Sequence, residues 1–123
     1  REDVNALFVD NFYFGCEADD PMNAWAFSKK HNAGGARLKA LFGSDVGHFD
    51  VQDMAGVLPE AYEMVEHGLI TDADFRDFMF ANPVSFYADA NPGFFKGTCV
   101  EKAAAPFIRA RQAALKKKAA RKR

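Results

Sequence analysis

The residues Lys39-Ala40-Leu41-Phe42-Gly43-Ser44-Asp45-Val46-Gly47-His48 combine a short apolar run with a polar segment that contains two glycines. The first four residues predict a short β-strand, and the polar, glycine-spaced residues that follow predict a loop. Asp45 comes three residues after Phe42, so its carboxylate is expected at the carboxyl end of this strand. Reactive groups gather at that end of parallel strands, because the loops that follow the strands converge there.

The segments on either side predict alternating strands and helices. Residues 6–16 are rich in apolar and aromatic side chains and predict buried strand material. Helices are predicted over residues 21–29, 54–67, 72–82 and 103–120, with one more turn at 84–87. Asp50 and Asp53 are expected to begin the helix at 54, and Pro83 is expected to end the third. The order strand, helix, strand, helix, helix favours an α/β fold with a parallel sheet.

The composition is that of a globular protein, but the charge is unevenly distributed. The 123 residues are 49% hydrophobic and 27% charged, which excludes disorder over the whole chain. From Lys102 onward there are nine Lys or Arg and no acidic residue, so a body over 1–101 with a net charge of −10 precedes a basic helical tail over 102–123. The tail is expected to be a solvated helix end. It has no aromatic platform or zinc-ligand spacing, so nucleic acid is not an expected partner.

Cysteine usage and hydropathy indicate a cytoplasmic protein. Cys16 and Cys99 are too few for a disulfide framework and are expected to be free thiols in a reducing compartment. No apolar run approaches the roughly 18 residues that span a bilayer. The charged residues at 1–3 do not resemble a signal peptide. We therefore expect no membrane partner.

Three side chains are the candidates for chemistry. Asp45 has the chemistry to bind a divalent metal or to take a proton from metal-bound water, and the alternative is that it caps its own turn. His48, three residues on, is a candidate ligand or proton donor. Glu17 follows the first strand and is a weaker candidate to line the same edge, because acidic residues there often cap the next helix. His31 and His67 are expected at helix C-termini, where imidazole suits the helix dipole.

The stretch from Leu41 to Val51 resembles the last-strand segment of the amidohydrolase superfamily. The most similar branch is the amidohydrolase-related group that includes aminocarboxymuconate-semialdehyde decarboxylase-like enzymes. The similarity extends over about residues 5–100, and the Gly-Ser-Asp plus His loop is its most specific part. It implies a TIM barrel, of which this chain supplies the last βα units and trailing helices. It also implies a divalent metal, zinc first and manganese or iron as alternatives, with Asp45 as ligand and proton acceptor.

The chain departs from the family in what it lacks. No His-x-His pair occurs in it. A complete eight-stranded barrel takes at least about 200 residues, and a catalytic zinc takes about three protein ligands. We therefore expect the C-terminal portion of a longer metal-dependent enzyme that hydrolyses C–N or C–O bonds, or decarboxylates its substrate, and that is inactive without the rest of the barrel.

The expected partners follow from this interpretation. One is a small-molecule substrate. The others are the N-terminal portion of the barrel and a second copy of the chain, because two strands taken from a barrel leave apolar faces and edges open. One alternative stays open, which is a non-catalytic α/β interaction module whose basic tail contacts an acidic partner or nucleic acid. An upstream in-frame segment with His-x-His would favour the enzyme.

Overall fold

The computed structural model describes residues 4–121, and the chain separates into two compact units, Arg1–Asn82 and Pro83–Arg123. The first unit contains α1 (Val4–Asn11), β1 (Phe14–Cys16), a 3-10 helix (Pro21–Phe27), a 3-10 turn (Ala33–Gly35), β2 (Ala40–Phe42), α2 (Val57–Glu66), α3 (Asp72–Arg76) and a π-helical segment (Asp77–Ala81). Two helices follow, α4 (Asn82–Ala90) and α5 (Glu101–Arg121).

The predicted parallel pairing of the two strands is confirmed. In the β1–β2 ladder Phe14 lies opposite Ala40, and Cys16 lies opposite Phe42. Just past the ladder, the Gly43 N–H donates to the Cys16 carbonyl at 2.7 Å. A Cβ atom at Gly43 would lie 3.1 Å from that same carbonyl oxygen, so glycine lets the two strand ends approach this closely. The barrel around these strands stays a prediction.

The strand predicted at residues 6–9 is wrong, because these residues lie in α1. The rings of Phe8 and Phe12, four residues apart, have centroids separated by 5.3 Å, which is the side-chain pairing that a helix produces. Among residues 4–121 no strand lies beside this segment. At the end of the helix the Phe12 N–H donates to the Phe8 carbonyl at 3.2 Å, which is a helical hydrogen bond.

The helix predicted over 21–29 is shorter and tighter than expected. It is a 3-10 helix that ends at Phe27, and the Asp20 carboxylate caps it by accepting from the Met22 N–H at 2.8 Å. At its other end the Ala26 carbonyl accepts from the Leu38 N–H at 2.8 Å. That carbonyl is thus engaged by the segment leading into β2, instead of by the next turn of a helix.

The helix end predicted at Asn82-Pro83 is also wrong, since helical structure continues in α4 to Ala90. The Asn82 N–H donates to the carbonyl of Asp77, five residues back, which gives this segment its π-helical form. Pro83 has no N–H and its ring crowds the preceding turn, and a wider turn accommodates both effects. The Asn82 side-chain amide donates to the Ala40 carbonyl at 2.9 Å and so fixes the end of the π-helical segment to β2.

Phe78 lies at the centre of the hydrophobic core of the first unit. It is 0% exposed, and the rings of Phe27 and Phe42 meet it edge-on with centroids 6.3 Å and 5.9 Å away. Ala40 and Met64 are buried in the same cluster. The π-helical segment thereby packs against β2, which is the strand that leads to Asp45.

A capping box begins α3. The Asp74 N–H donates to the Thr71 hydroxyl at 3.2 Å, and the Thr71 N–H donates to the Asp74 carboxylate at 3.0 Å. Arg37 forms ion pairs with Asp74 and, at 3.1 Å, with Asp77. The segment before β2 is thus bound to the helices that follow it.

This arrangement makes the stability of the first unit depend on pH. Burial raises the pKa of Asp74, but the hydrogen bonds from Thr71 and the ion pair with Arg37 outweigh burial and hold the pKa below its ordinary value. A carboxyl group of this kind stabilises the fold above its unfolded pKa, about 3.9, and the stabilisation is lost as the pH falls through the folded pKa. We expect the free energy of unfolding to fall below about pH 4 and Asp74→Asn to flatten that fall.

Urea denaturation at a series of pH values measures this effect. Asp19→Asn is the control, because Asp19 is exposed and its side chain takes no part in the capping box or the Arg37 ion pairs. If the free energy of unfolding of Asp74→Asn fell at low pH as steeply as that of the unmodified chain, the role given to Asp74 would be contradicted.

The second unit contains the rest of α4, a series of turns over residues 91–100, and α5. The helix predicted over 103–120 is confirmed and begins two residues earlier, at Glu101. Arg111 donates from Nε and Nη2 to the two carboxylate oxygens of Asp89, each at 2.6 Å, which fixes α5 to α4. Within residues 4–121 no helix is both long and apolar enough to span a membrane.

Candidate functional site

The candidate site lies where the two parallel strands end. The chain leaves β2 in a tight turn in which Asp45 has a φ angle of 48° and Gly47 a φ angle of 107°. Aspartate tolerates the left-handed region, whereas the angle at Gly47 strongly favours glycine. The His48 N–H donates to the Asp45 carbonyl at 3.0 Å and closes the turn. The loop predicted after this strand is therefore present.

Asp45 and His48 are in direct contact. The Nδ1 atom of His48 lies 3.2 Å from the Oδ2 atom of Asp45. The carboxylate is 33% exposed and the imidazole 65% exposed, so both are accessible from solvent. When the imidazole is neutral, a proton on Nδ1 that donates to the carboxylate leaves Nε2 as a hydrogen-bond acceptor. This contact orients the carboxylate without removing it from the solvent.

Asp45 and Glu17 line the same cavity, which has a volume of about 120 Å³. Glu17 is the first residue after β1, and Asp45 follows β2, so the parallel pairing brings both to one edge of the sheet. Four further carboxylates line the cavity, those of Asp19, Asp50, Asp53 and Glu60. Among its described lining residues there is no Lys or Arg. A recess lined in this way concentrates cations and disfavours anions.

The floor of the cavity is apolar and leads into α2. Ala18, Val57 and Ala61 form a small buried cluster there. The Asp53 carboxylate accepts from the Ala55 N–H at 3.0 Å, so it caps a turn that precedes the helix. The helix predicted to start at 54 starts instead at Val57, with Gly56 as its N-cap residue. The prediction that Asp50 and Asp53 begin this helix is therefore wrong.

Sequence patterns did not identify four of the lining residues as members of a site. Asp50 and Asp53 are predicted as helix-start residues, and Asp19 and Glu60 carry no motif of their own. Tertiary folding alone brings residues near position 18 beside residues 44–60. The one available signal is the predicted parallel pairing, which already places the residue after β1 beside the loop after β2.

The described residues do not form a complete metal site. Among residues 4–121 no group of three or more His, Cys, Asp or Glu side chains is arranged to hold a metal ion. A catalytic zinc takes about three protein ligands, and Asp45 with His48 offers two donor side chains. The pair alone therefore offers too few donors to bind a zinc ion.

The other histidines and the two cysteines lie in places that fit structural roles. His67 immediately follows α2, as predicted for a helix C-terminus, whereas His31 lies beyond the end of its helix, with Nδ1 2.8 Å from the Ser28 hydroxyl. Cys16 and Cys99 are free, as expected. Burial raises the pKa of the Cys16 thiol, so this residue next to Glu17 is protonated at neutral pH and is a poor nucleophile.

The resemblance to amidohydrolases rests on the residues of the chain itself. No protein-family model, no curated protein and no solved structure matches this chain.

Proposed function

We propose that this chain is the C-terminal portion of a metal-dependent, amidohydrolase-like enzyme in which Asp45 serves the active site. The observation that carries the proposal is the position of Asp45. It follows the end of β2 and shares a cavity with Glu17 from the end of the parallel neighbour β1. In barrels of parallel strands the catalytic side chains stand at this edge, because the loops that follow the strands meet there.

The roles of the residues follow from their chemistry. Asp45 would contribute one carboxylate to holding a divalent ion, zinc or else manganese or iron, and that ion would lower the pKa of the water that attacks the substrate. The other ligands come from segments outside this chain. Asp45 also accepts the proton of the water, and the 3.2 Å contact from His48 holds its carboxylate in one orientation. His48 orients the substrate through Nε2, and Glu17 contributes to the lining of the cavity.

The charge of the cavity bears on the kind of substrate. Six carboxylates and no Lys or Arg stand among its described lining residues. Such a lining disfavours an anionic group, so a substrate that must present a carboxylate for decarboxylation fits poorly. We therefore favour hydrolysis of a C–N or C–O bond in a small neutral or cationic molecule.

Metal removal tests this proposal in the full polypeptide that contains the chain. The purified protein is expected to contain a divalent ion and to cleave members of a panel of chromogenic esters and anilides. Dialysis against a chelator is expected to abolish that cleavage, because the activated water is lost, and added zinc is expected to restore it. The control is dialysis against the same chelator saturated with calcium.

Two results would contradict the proposal. One is full activity in protein from which all metal has been removed. The other is a polypeptide whose segments before residue 1 contain no His-x-His pair, since the ligands that this chain lacks would then have no source.

A further inference from the structure

The two units of the chain carry opposite charges. The sequence of Arg1–Asn82 has fifteen acidic and six basic residues, a net charge of −9, whereas Pro83–Arg123 has two acidic and ten basic residues, a net charge of +8. A unit with this excess of positive charge attracts polyanions. Charge alone does not determine which polyanion binds, so any preference must come from the other side chains of this unit.

Four side chains of the second unit form an aromatic cluster, which we define as Phe86, Tyr87, Phe94 and Phe95. Tyr87 and Phe94 are stacked, with ring centroids 4.5 Å apart and planes inclined by 12°. Phe95 meets these two rings edge-on, at 6.3 Å and 5.0 Å. Phe86, Tyr87 and Phe94 are 45%, 44% and 46% exposed, so nearly half of each residue is open to solvent.

The aromatic cluster adjoins the basic helix α5. Phe95 and Lys96 line a hollow of about 280 Å³ together with Ile108, Arg109 and Gln112 of α5. Glu101, also in the lining, accepts from the Gly97 N–H at 2.9 Å and closes the turn there. Its negative charge is opposed by the two basic residues of the same hollow.

The basic character continues along one face of α5. Residues 109, 112 and 116 are spaced i, i+3, i+7, so Arg109, Gln112 and Lys116 lie on the same side of the helix. The distance from the first to the last of them is about 10 Å along the helix axis. Cationic groups therefore extend from the edge of the aromatic cluster towards the C-terminal end of α5.

We propose that the second unit binds single-stranded nucleic acid, with bases stacked on the aromatic cluster and phosphates along the Arg109–Lys116 face of α5. Exposed aromatic rings beside a positively charged track are the combination that binds unpaired bases without sequence preference. A duplex hides the faces of its bases and offers this surface only its phosphates. The proposal is independent of the enzymatic one, because it uses none of the residues around Asp45.

A membrane is the less favoured polyanionic partner. Past Ile108 the apolar residues of α5 are alanines and Leu115, set among its charged side chains. A helix that lies in a bilayer interface needs a broad apolar face to bury, and this helix has none there.

Fluorescence anisotropy with the full chain tests the proposal. The probes are a labelled oligo(dT) of about 16 nucleotides, a duplex of the same length, and vesicles that contain phosphatidylserine. The single strand is expected to bind more tightly than the duplex or the vesicles. Phe94→Ala is expected to weaken that binding about fivefold or more, the effect of losing one stacked base, whereas Phe94→Trp retains it.

The charge contribution is tested separately. The variant Lys116→Gln is expected to lower the slope of log K against log salt by about 0.7, because one phosphate contact is lost. The matched controls are in the acidic unit: Trp25→Ala removes an aromatic residue that is 57% exposed, and Lys29→Gln removes one exposed lysine. Neither control is expected to change binding.

Three outcomes would overturn the proposal. They are equal affinity for the single strand and the duplex, binding to vesicles alone, and no binding to oligo(dT) even at low salt. Equal effects of the control and test lysine variants would also overturn it. Circular dichroism of each variant shows whether a loss of binding is accompanied by unfolding. If Phe94→Ala does not fold, the lysine variants still test the proposal.

Discussion

Asp45→Asn is expected to lower the turnover of the full-length enzyme by about 10²- to 10⁴-fold, the range that a general acid or base contributes. The amide cannot accept the proton of the activated water, and it is a weaker ligand for a divalent ion, so metal content is expected to fall as well. Asparagine keeps the shape of the side chain and tolerates the φ angle of 48° at this position. The loss is therefore chemical, whereas Asp45→Ala would add backbone strain.

Asp50→Asn is the matched control for this experiment. Asp50 lines the same cavity, so the substitution removes the same charge from the same recess. It lies farther along the chain from the end of β2 than Asp45 does, and its substitution is expected to leave kcat nearly unchanged. Steady-state kinetics and metal analysis on both variants measure the difference. Unchanged turnover in Asp45→Asn would remove Asp45 from the mechanism, and equal losses in both variants would assign the effect to the cavity charge alone.

Local rules account for the parts of the fold that the sequence predicts correctly. The strand at Ala40–Phe42 and the loop that follows it are each decided by a few neighbouring residues. Glycine at 47 is likewise decided by the turn in which it sits, with a φ angle of 107°. At these positions propensity, turn chemistry and the final structure agree.

Tertiary context decides the parts that the sequence did not predict. The apolar residues 6–9 are compatible with a strand or a helix, and they lie in α1, since no strand within the described range 4–121 pairs with them. Pro83 ordinarily ends a helix, but here the preceding π-helical turn accommodates it, and the Asn82 amide is bound to the Ala40 carbonyl. Neither effect is visible in a window of neighbouring residues.

The same distinction applies to the sites. The proximity of Glu17 and Asp45 follows from parallel strands and is predictable, whereas the arrival of Asp19 and Glu60 at the same cavity depends on how α2 packs. Tyr87 and Phe94 stack because the chain reverses between α4 and α5. The sequence shows no aromatic platform beside the basic tail, since the two rings are seven positions apart.

Phe78→Ala is expected to lower the free energy of unfolding of the first unit by about 3–5 kcal/mol. The side chain is 0% exposed, and its ring contacts Phe27 and Phe42 edge-on, so the substitution leaves a cavity between β2 and the helices. Native domains are stable by about 5–15 kcal/mol, so the variant is expected to be near its unfolding midpoint under mild conditions. Urea denaturation followed by circular dichroism measures the change.

Phe49→Ala is the matched control, because it removes the same atoms from a residue that is 96% exposed. Its expected effect is within about 0.5 kcal/mol. Both variants need to be measured at two protein concentrations, since self-association through exposed apolar residues would stabilise the folded state by mass action. Equal effects of the two substitutions would contradict the position of the core. Because Phe42 packs on Phe78 and ends the strand that leads to Asp45, a misplaced core would also remove the structural basis for the proposed active site.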